Sequence, residues 1–292
     1  MIEKIRQIKK VNRKSMLIRV SGRSSDYITP SFGYGCLYNC SYCYMKRHKS
    51  TGLDIAINTN DILTEINNHA WFAVIDKPNQ THKEYITYDI SCNEDFALHA
   101  KYHEWQKIFK FFIEHPKALG TFATKYVNYS LLEINPEMKV RIRFSLMPEN
   151  IRAILEPNTS TIKERLDAIN KFKEAGYDVH LNFSPVIVYD NWENDYAELF
   201  KQVDLAVKEE YKSEVLAEVI FLTHNAKKHQ YNLDNNSPGE DLLWTPEIQE
   251  SKTSQYGGEN IRYKAYVKNG MISIFKKLHN EIIPWNTIRY IF

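Results

Sequence analysis

The chain has 292 residues, 43% of them hydrophobic and 25% charged, with a net charge of +2. That is the composition of a folded protein long enough to bury a core without staples. No run approaches the ~18 apolar residues of a membrane span. The start, MIEKIRQIKKVNRKSMLIRV, has neither the apolar core nor the cleavage site of a secretory signal. Four cysteines, three of them clustered, argue against a secreted disulfide scaffold. A cytoplasmic protein without membrane attachment is expected.

Charge is unevenly spread. Residues 1–35 carry eight Lys/Arg against two acids, and residues 251–292 carry seven against two, around an acidic middle. Two such ends make a polyanion-binding face if they meet in space, and two solvated termini if they do not.

In chain order, the first patterned stretch is GCLYNCSYCYMKRH, Gly35 to His48. YITYDIS (Tyr85 to Ser91) reads as a strand, and Glu94 to His115 as one helix. On that helix Phe96, His99, Trp105, Ile108, Phe109, Phe112 and Ile113 fall roughly on one face. Strand-like LGTFATK, VRIRFSLM, VHLNFSPVIVY and VLAEVIFLTH follow. Between the second and third lies a helix from Thr159 to Tyr177, capped by Ser160 or Thr161 and ended by Gly176. Asn232 to Asp241 reads as a loop. NIRYKAYVKNG, with an Asn269-Gly270 turn, reads either as a basic, aromatic nucleic-acid element or as an ordinary strand before a helix. Strand–helix alternation predicts parallel βα units, with the site at the carboxyl ends of the strands. The polar strand ends Ser91-Cys92-Asn93, Thr124-Lys125, Ser145, Asn182 with Ser184, and Thr223-His224-Asn225 suit that placement.

Cys36, Cys40 and Cys43 are spaced C-x3-C-x2-C. Three thiolates are odd for disulfides and one short for a closed zinc site. Iron–sulfur clusters are held by closely spaced cysteines. A 4Fe-4S cubane with three protein ligands leaves one iron open to chelate S-adenosyl-L-methionine. The competing reading is a Cys3His zinc site with His48 as fourth ligand, in a zinc-stabilised nucleic-acid-binding protein without catalysis. Such sites usually pair two close ligand couples, which this loop does not.

The spacing is the hallmark of the radical S-adenosylmethionine superfamily, and the chain resembles its spore photoproduct lyase family. The resemblance is carried by CSYCY, SCNED, ATKYV, RIRFS, the stretch LEPNTSTIKERLDAINKFKEAGYDVHLNFSPVIVYDNW, and FLTH. It implies an α/β fold, a partial (β/α)6 TIM-like barrel over residues 31–230. A basic extension, 1–30, precedes it, and a basic loop and strand–helix–strand extension, 231–292, follows.

It further implies a lyase that reverses a thymine–thymine photoproduct in DNA, with a reducing electron donor such as flavodoxin or ferredoxin. In that scheme Cys36, Cys40 and Cys43 hold the 4Fe-4S cluster, and Cys92 returns a hydrogen atom to the product. Tyr42 and Tyr44 relay the hydrogen, and Glu94, Lys125, Ser145 and Ser184 position the cofactor. From the residues alone, Cys92 is equally a small core cysteine, the tyrosines packing groups, and the polar positions strand-end caps. The chain departs from the family in having Glu94 where the family has serine, and in having only 35 residues before Cys36. A radical enzyme acting on another nucleobase or nucleotide is the alternative.

Overall fold

The computed structural model describes residues 7–21, 24, 26–48, 52–73, 82–253 and 257–292. Eight strands form one sheet in the order Ile288–Ile291, Ala217–Phe221, Asp178–Val186, Val140–Ser145, Ala118–Thr124, Ile86–Asp89, Tyr27–Ile28 and Arg19–Val20. Ala217–Phe221 pairs in parallel with both Ile288–Ile291 and Asp178–Val186, Ala118–Thr124 with both Val140–Ser145 and Ile86–Asp89, and Ile86–Asp89 with Tyr27–Ile28, whereas Arg19–Val20 runs antiparallel to Tyr27–Ile28. Parallel neighbours need crossovers. The helices Trp105–Glu114, Ile162–Glu174, Trp192–Ala206 and Ala265–Ile282 lie in those connections. This is the α/β fold of successive parallel βα units that the sequence predicts.

Two compact units interleave along the chain. One takes residues 1–37, 48–144 and 171–180, the other 38–47, 145–170 and 181–292. In the first, Ala118–Thr124 and Val140–Ser145 are buried almost throughout, as strands covered on both faces must be. Period-two alternation sets Val140, Ile142 and Phe144 on one face and Arg141, Arg143 and Ser145 on the other. Buried guanidinium groups need acids. Arg143 meets Asp89 at 2.9 Å and Asp26 at 3.5 Å, and Arg141 meets Asp178 at 2.6 Å. Phe96 and Phe122 each stack on Phe109 and meet one another at a tilt. A second sheet, Ile8–Val11 with Leu53–Ala56 and Gly33–Gly35, delivers the chain to Cys36.

In the second unit, Phe183, Tyr196, Phe200 and Phe275 make mostly edge-to-face contacts. Each such pair contributes about 0.5–1.5 kcal/mol beyond area burial. Thr161 and Glu164 form a reciprocal capping box at the start of Ile162–Glu174. Gly176, at φ +89° and already within the first unit, follows its end, where the Cβ of another residue would meet Asn135.

Three local expectations are corrected. The run Glu94–His115 is two helices, Phe96–His99 and Trp105–Glu114, with a 3-10 turn at Ala100–Tyr102 between them. Asp95 caps the first by accepting from Leu98 N at 3.2 Å. Asn232 to Asp234 are helical, within Ala226–Asp234, and Glu240–Leu243 is a further helix, so the loop shrinks to 235–239. Asn269-Gly270 makes no turn. It lies inside Ala265–Ile282, which Met271, Phe275 and His279 anchor on its buried side. Among the described residues, no helix is long and apolar enough to cross a membrane.

Candidate active site

Cys36 follows directly on the strand Gly33–Gly35, and the backbone on both sides of it is tied to the segment after Cys92. Gly35 N donates to Asn93 O at 3.1 Å, and Leu37 N donates to His99 Nε2 at 3.3 Å. Because His99 Nε2 accepts, its proton sits on Nδ1, which donates to Glu94 Oε2 at 2.9 Å. His103 Nε2 reaches the same oxygen at 2.8 Å. The interruption between the two short helices is what carries His103 there. Burial disfavours ionising Glu94, yet His103 and the two imidazole hydrogen bonds outweigh it and hold the carboxyl down at about 2. Glu94 Oε1 is buried and has no partner among the described residues. A Cβ on Gly33 would lie 2.2 Å from the Glu94 carboxyl carbon, so only glycine leaves room for it.

Cys92 sits in the turn after Ile86–Asp89 and is partly exposed. Lys125 follows the next strand. Its N–H donates to Asp95 Oδ2 at 2.8 Å, while Thr124 Oγ1 donates to Asp95 Oδ1 at 2.7 Å. Asp95 thereby fixes the exit of that strand and the start of the helix after Glu94 in one contact set. The first unit thus places Cys36, Cys92, Glu94 and Lys125 around neighbouring turns.

The second unit carries Cys40, Cys43, Tyr42, Tyr44, Ser145 and Ser184. Cys43 N donates to Cys40 O at 3.1 Å, closing a turn, and Ser41 N donates to Leu155 O at 2.9 Å. Tyr42 OH donates to Glu156 Oε1. Burial first, and Glu156 second, push the phenol well above its ordinary range. Arg165 is fully buried beneath it. Its guanidinium donates to Glu156 Oε2 at 2.6 Å, Thr159 Oγ1 at 2.8 Å, Ser145 O at 2.7 Å and Ser160 O at 3.0 Å. Ser145 Oγ accepts from Asn182 Nδ2 at 3.3 Å. Ser184 lies half-buried in Asp178–Val186. Tyr44, by contrast, is 42% exposed.

The other face of the cysteine turn is held by Asn232, whose Nδ2 donates to Ser41 O at 2.9 Å and also to Glu240. His48 ends the short helix Met45–His48 and is exposed. In the basic C-terminal stretch, Tyr263 is a core residue whose hydroxyl accepts from Val188 N at 3.0 Å, while Tyr266 is exposed. The strand Glu259–Tyr263 pairs antiparallel with Gln249–Thr253, placing Arg262 opposite Glu250. That favours the plain strand reading of this segment.

Sequence reasoning missed Glu156, Arg165, His99, His103 and Asn232. The EPNTS turn marks Glu156, but nothing local marks its pairing with Arg165. His99 reads as a helix-face residue, and nothing local singles out His103. The donor set itself fits an iron–sulfur cluster and S-adenosylmethionine. Cys36, Cys40 and Cys43 are in no disulfide, thiolates are the ligands such clusters take, and Glu94 keeps an unpartnered buried carboxylate oxygen.

The family model described as spore photoproduct lyase matches residues 3–292. The chain belongs to the spore photoproduct lyase family. It is 25% identical over 284 residues to the spore photoproduct lyase of Bacillus subtilis, covering 95% of this chain and 80% of that one. It is 26% identical to that of Clostridium acetobutylicum, covering 96% and 80%. Among solved structures it is similar to a spore photoproduct lyase complexed with dinucleoside spore photoproduct, with TM-score 0.85, 21% identity, and 98% of this chain and 82% of that one covered. A doubly substituted spore photoproduct lyase with bound AdoMet and the same dinucleoside aligns with TM-score 0.85 and 20% identity, over 98% and 82%. These likenesses establish the spore photoproduct lyase fold for this chain.

Proposed function

We propose that this protein is a radical S-adenosylmethionine lyase that restores two thymines from the spore photoproduct in DNA. The observation that carries the reading is the C-x3-C-x2-C loop within a chain that matches the spore photoproduct lyase family from end to end. Cys36, Cys40 and Cys43 hold a 4Fe-4S cluster. When bound, the cluster and S-adenosylmethionine supply a 5′-deoxyadenosyl radical that takes a hydrogen from the lesion. Cys92 would then deliver the hydrogen of its S–H to the opened thymine, and Tyr44 and Tyr42 would relay the radical left on sulfur back toward the cofactor by passing a hydrogen the other way. Lys125 faces the cofactor carboxylate, where a charge-assisted hydrogen bond is strongest. Glu94, whose Oε1 has no partner among the described residues, would take the cofactor ammonium, Ser145 would join Lys125 at the carboxylate end, and Ser184 would hold the cofactor near the adenosine. The substrate is DNA, presented with the damaged bases turned out of the stack. The reductant is a small electron carrier of the flavodoxin or ferredoxin kind, in the cytoplasm.

The test is anaerobic reconstitution with iron and sulfide. Dithionite, S-adenosylmethionine and an oligonucleotide bearing the spore photoproduct are then added, and thymidine recovery is measured. Repair that disappears in Cys36→Ala together with the iron, and that stalls in Cys92→Ala while 5′-deoxyadenosine still forms, supports the reading. Formation of 5′-deoxyadenosine by the wild-type protein without repair would overturn the substrate.

A further inference from the structure

Glu240 stands outside the reaction just described, yet two histidines converge on it. His224 Nε2 lies 2.9 Å and His229 Nδ1 2.5 Å from the same oxygen, Glu240 Oε1. The three ligand atoms all lie within 4.8 Å of one another. Each comes from a separate element: the strand Thr223–His224, the helix Ala226–Asp234 and the helix Glu240–Leu243.

The positions are built rather than accidental. His229 stacks on Trp244 with ring centres 4.0 Å apart and 12° between planes, and His224 meets the same indole edge-on at 5.8 Å. Asn225 caps the helix that carries His229 by accepting from Lys228 N at 2.9 Å. Gly239, at φ +72°, turns the chain into Glu240, and any Cβ there would lie 2.5 Å from Leu155 Cδ2. The second carboxylate oxygen accepts from Asn232, which also holds Ser41 O in the middle of the cysteine turn. Metal-bound carboxylates are oriented by such outer hydrogen bonds.

Two imidazoles and one carboxylate form a donor set for zinc or ferrous iron. Zinc bonds of about 2.0–2.2 Å in a tetrahedron place donor atoms roughly 3.3–3.5 Å apart. Side-chain shifts of about an ångström bring the present atoms there. His229, 23% exposed at its side chain, gives the ion a way in and leaves a coordination position for water.

We propose that His224, His229 and Glu240 form a second metal site, separate from the cysteine loop. It takes a divalent ion of the zinc class and braces that loop through Asn232 and Ser41. Because it binds the folded state alone, the ion stabilises that state.

The test uses the cluster-loaded enzyme, dialysed anaerobically against micromolar zinc. Zinc and iron are counted by mass spectrometry, and zinc affinity is measured by competition with a chelating dye. The expected result is one zinc beyond the iron complement. His229→Gln and Glu240→Gln should weaken its binding at least 100-fold with iron unchanged, and Asn232→Leu should weaken it about 10–100-fold. Zinc should raise the melting temperature of the wild type and leave that of His229→Gln unmoved. His229→Gln is the guarding variant, since its partly exposed amide still reaches Glu240 and keeps the fold. Wild-type protein that takes up no zinc, or variants that bind it equally, would overturn the site. Iron lost to a chelator at the same rate with and without zinc would overturn the bracing. Zinc content and repair are read separately, so failure here leaves the proposed reaction standing.

Discussion

Tyr42 gives its phenolic hydrogen to Glu156, and the carboxylate that receives it is already gripped by the fully buried Arg165. The tyrosine inside the cysteine motif is therefore locked to a charged pair, while Tyr44, one residue beyond the motif, is substantially exposed. Two tyrosines equivalent by spacing differ in what their removal does.

Tyr42→Phe should cost about 1–3 kcal/mol, because it strips a partner from a buried carboxylate. Tyr44→Phe should stay within about 0.5 kcal/mol of the wild type. Urea unfolding of the two variants measures this. If both also slow repair, the loss in Tyr44→Phe belongs to hydrogen relay rather than to folding.

Glu156→Gln should destabilise the protein by about 3–5 kcal/mol, since it leaves Arg165 as an uncompensated buried charge. A double variant, Glu156→Gln with Arg165→Met, should recover much of that loss. A double-mutant cycle by chemical denaturation reads the coupling. Strictly additive losses would mean that the pair is not one unit.

Glu94 supplies a pH dependence. Its carboxyl is held at about 2 against an ordinary 4.5. A depressed acid stabilises the folded state fully above its unfolded value, and that stabilisation fades as the pH falls from 4.5 toward 2. The magnitude is of order 3 kcal/mol. Stability measured across the acid range should fall more steeply in the wild type than in Glu94→Gln, and the two curves should converge at the acid end.

Gly33→Ala should drive the Glu94 carboxyl from its place, at about 1–3 kcal/mol as overpacking does. Glu94→Ser in the same chain makes room, so the pair of substitutions should cost less than their sum. Thermal melts of the two single variants and the double variant decide it.

The strands and the helix Ile162–Glu174 were readable because their signals are local. Thr161, Glu164 and Gly176 write that helix's start and stop within one short stretch of chain. The cysteine loop was readable for the same reason. The Glu94–His115 run was misread because its apolar stripe continues through a break that only the Glu94 carboxylate, binding His99 and His103, dictates. Asn269-Gly270 has the local form of a turn, but the apolar face of Met271, Phe275 and His279 outweighs it. Glu156 with Arg165, and Asn232 with Ser41, meet across separations of 9 and 191 residues. No periodicity displays such a meeting.

The interleaving of the two compact units has a consequence for biosynthesis. The first unit recruits residues 171–180, so its early strands leave the ribosome long before the stretch that completes it. At about 5–20 residues per second, the segment beginning at residue 48 waits on the order of ten seconds for that closure. Neither unit is a contiguous piece of sequence, so no single cut in the gene leaves both of them whole.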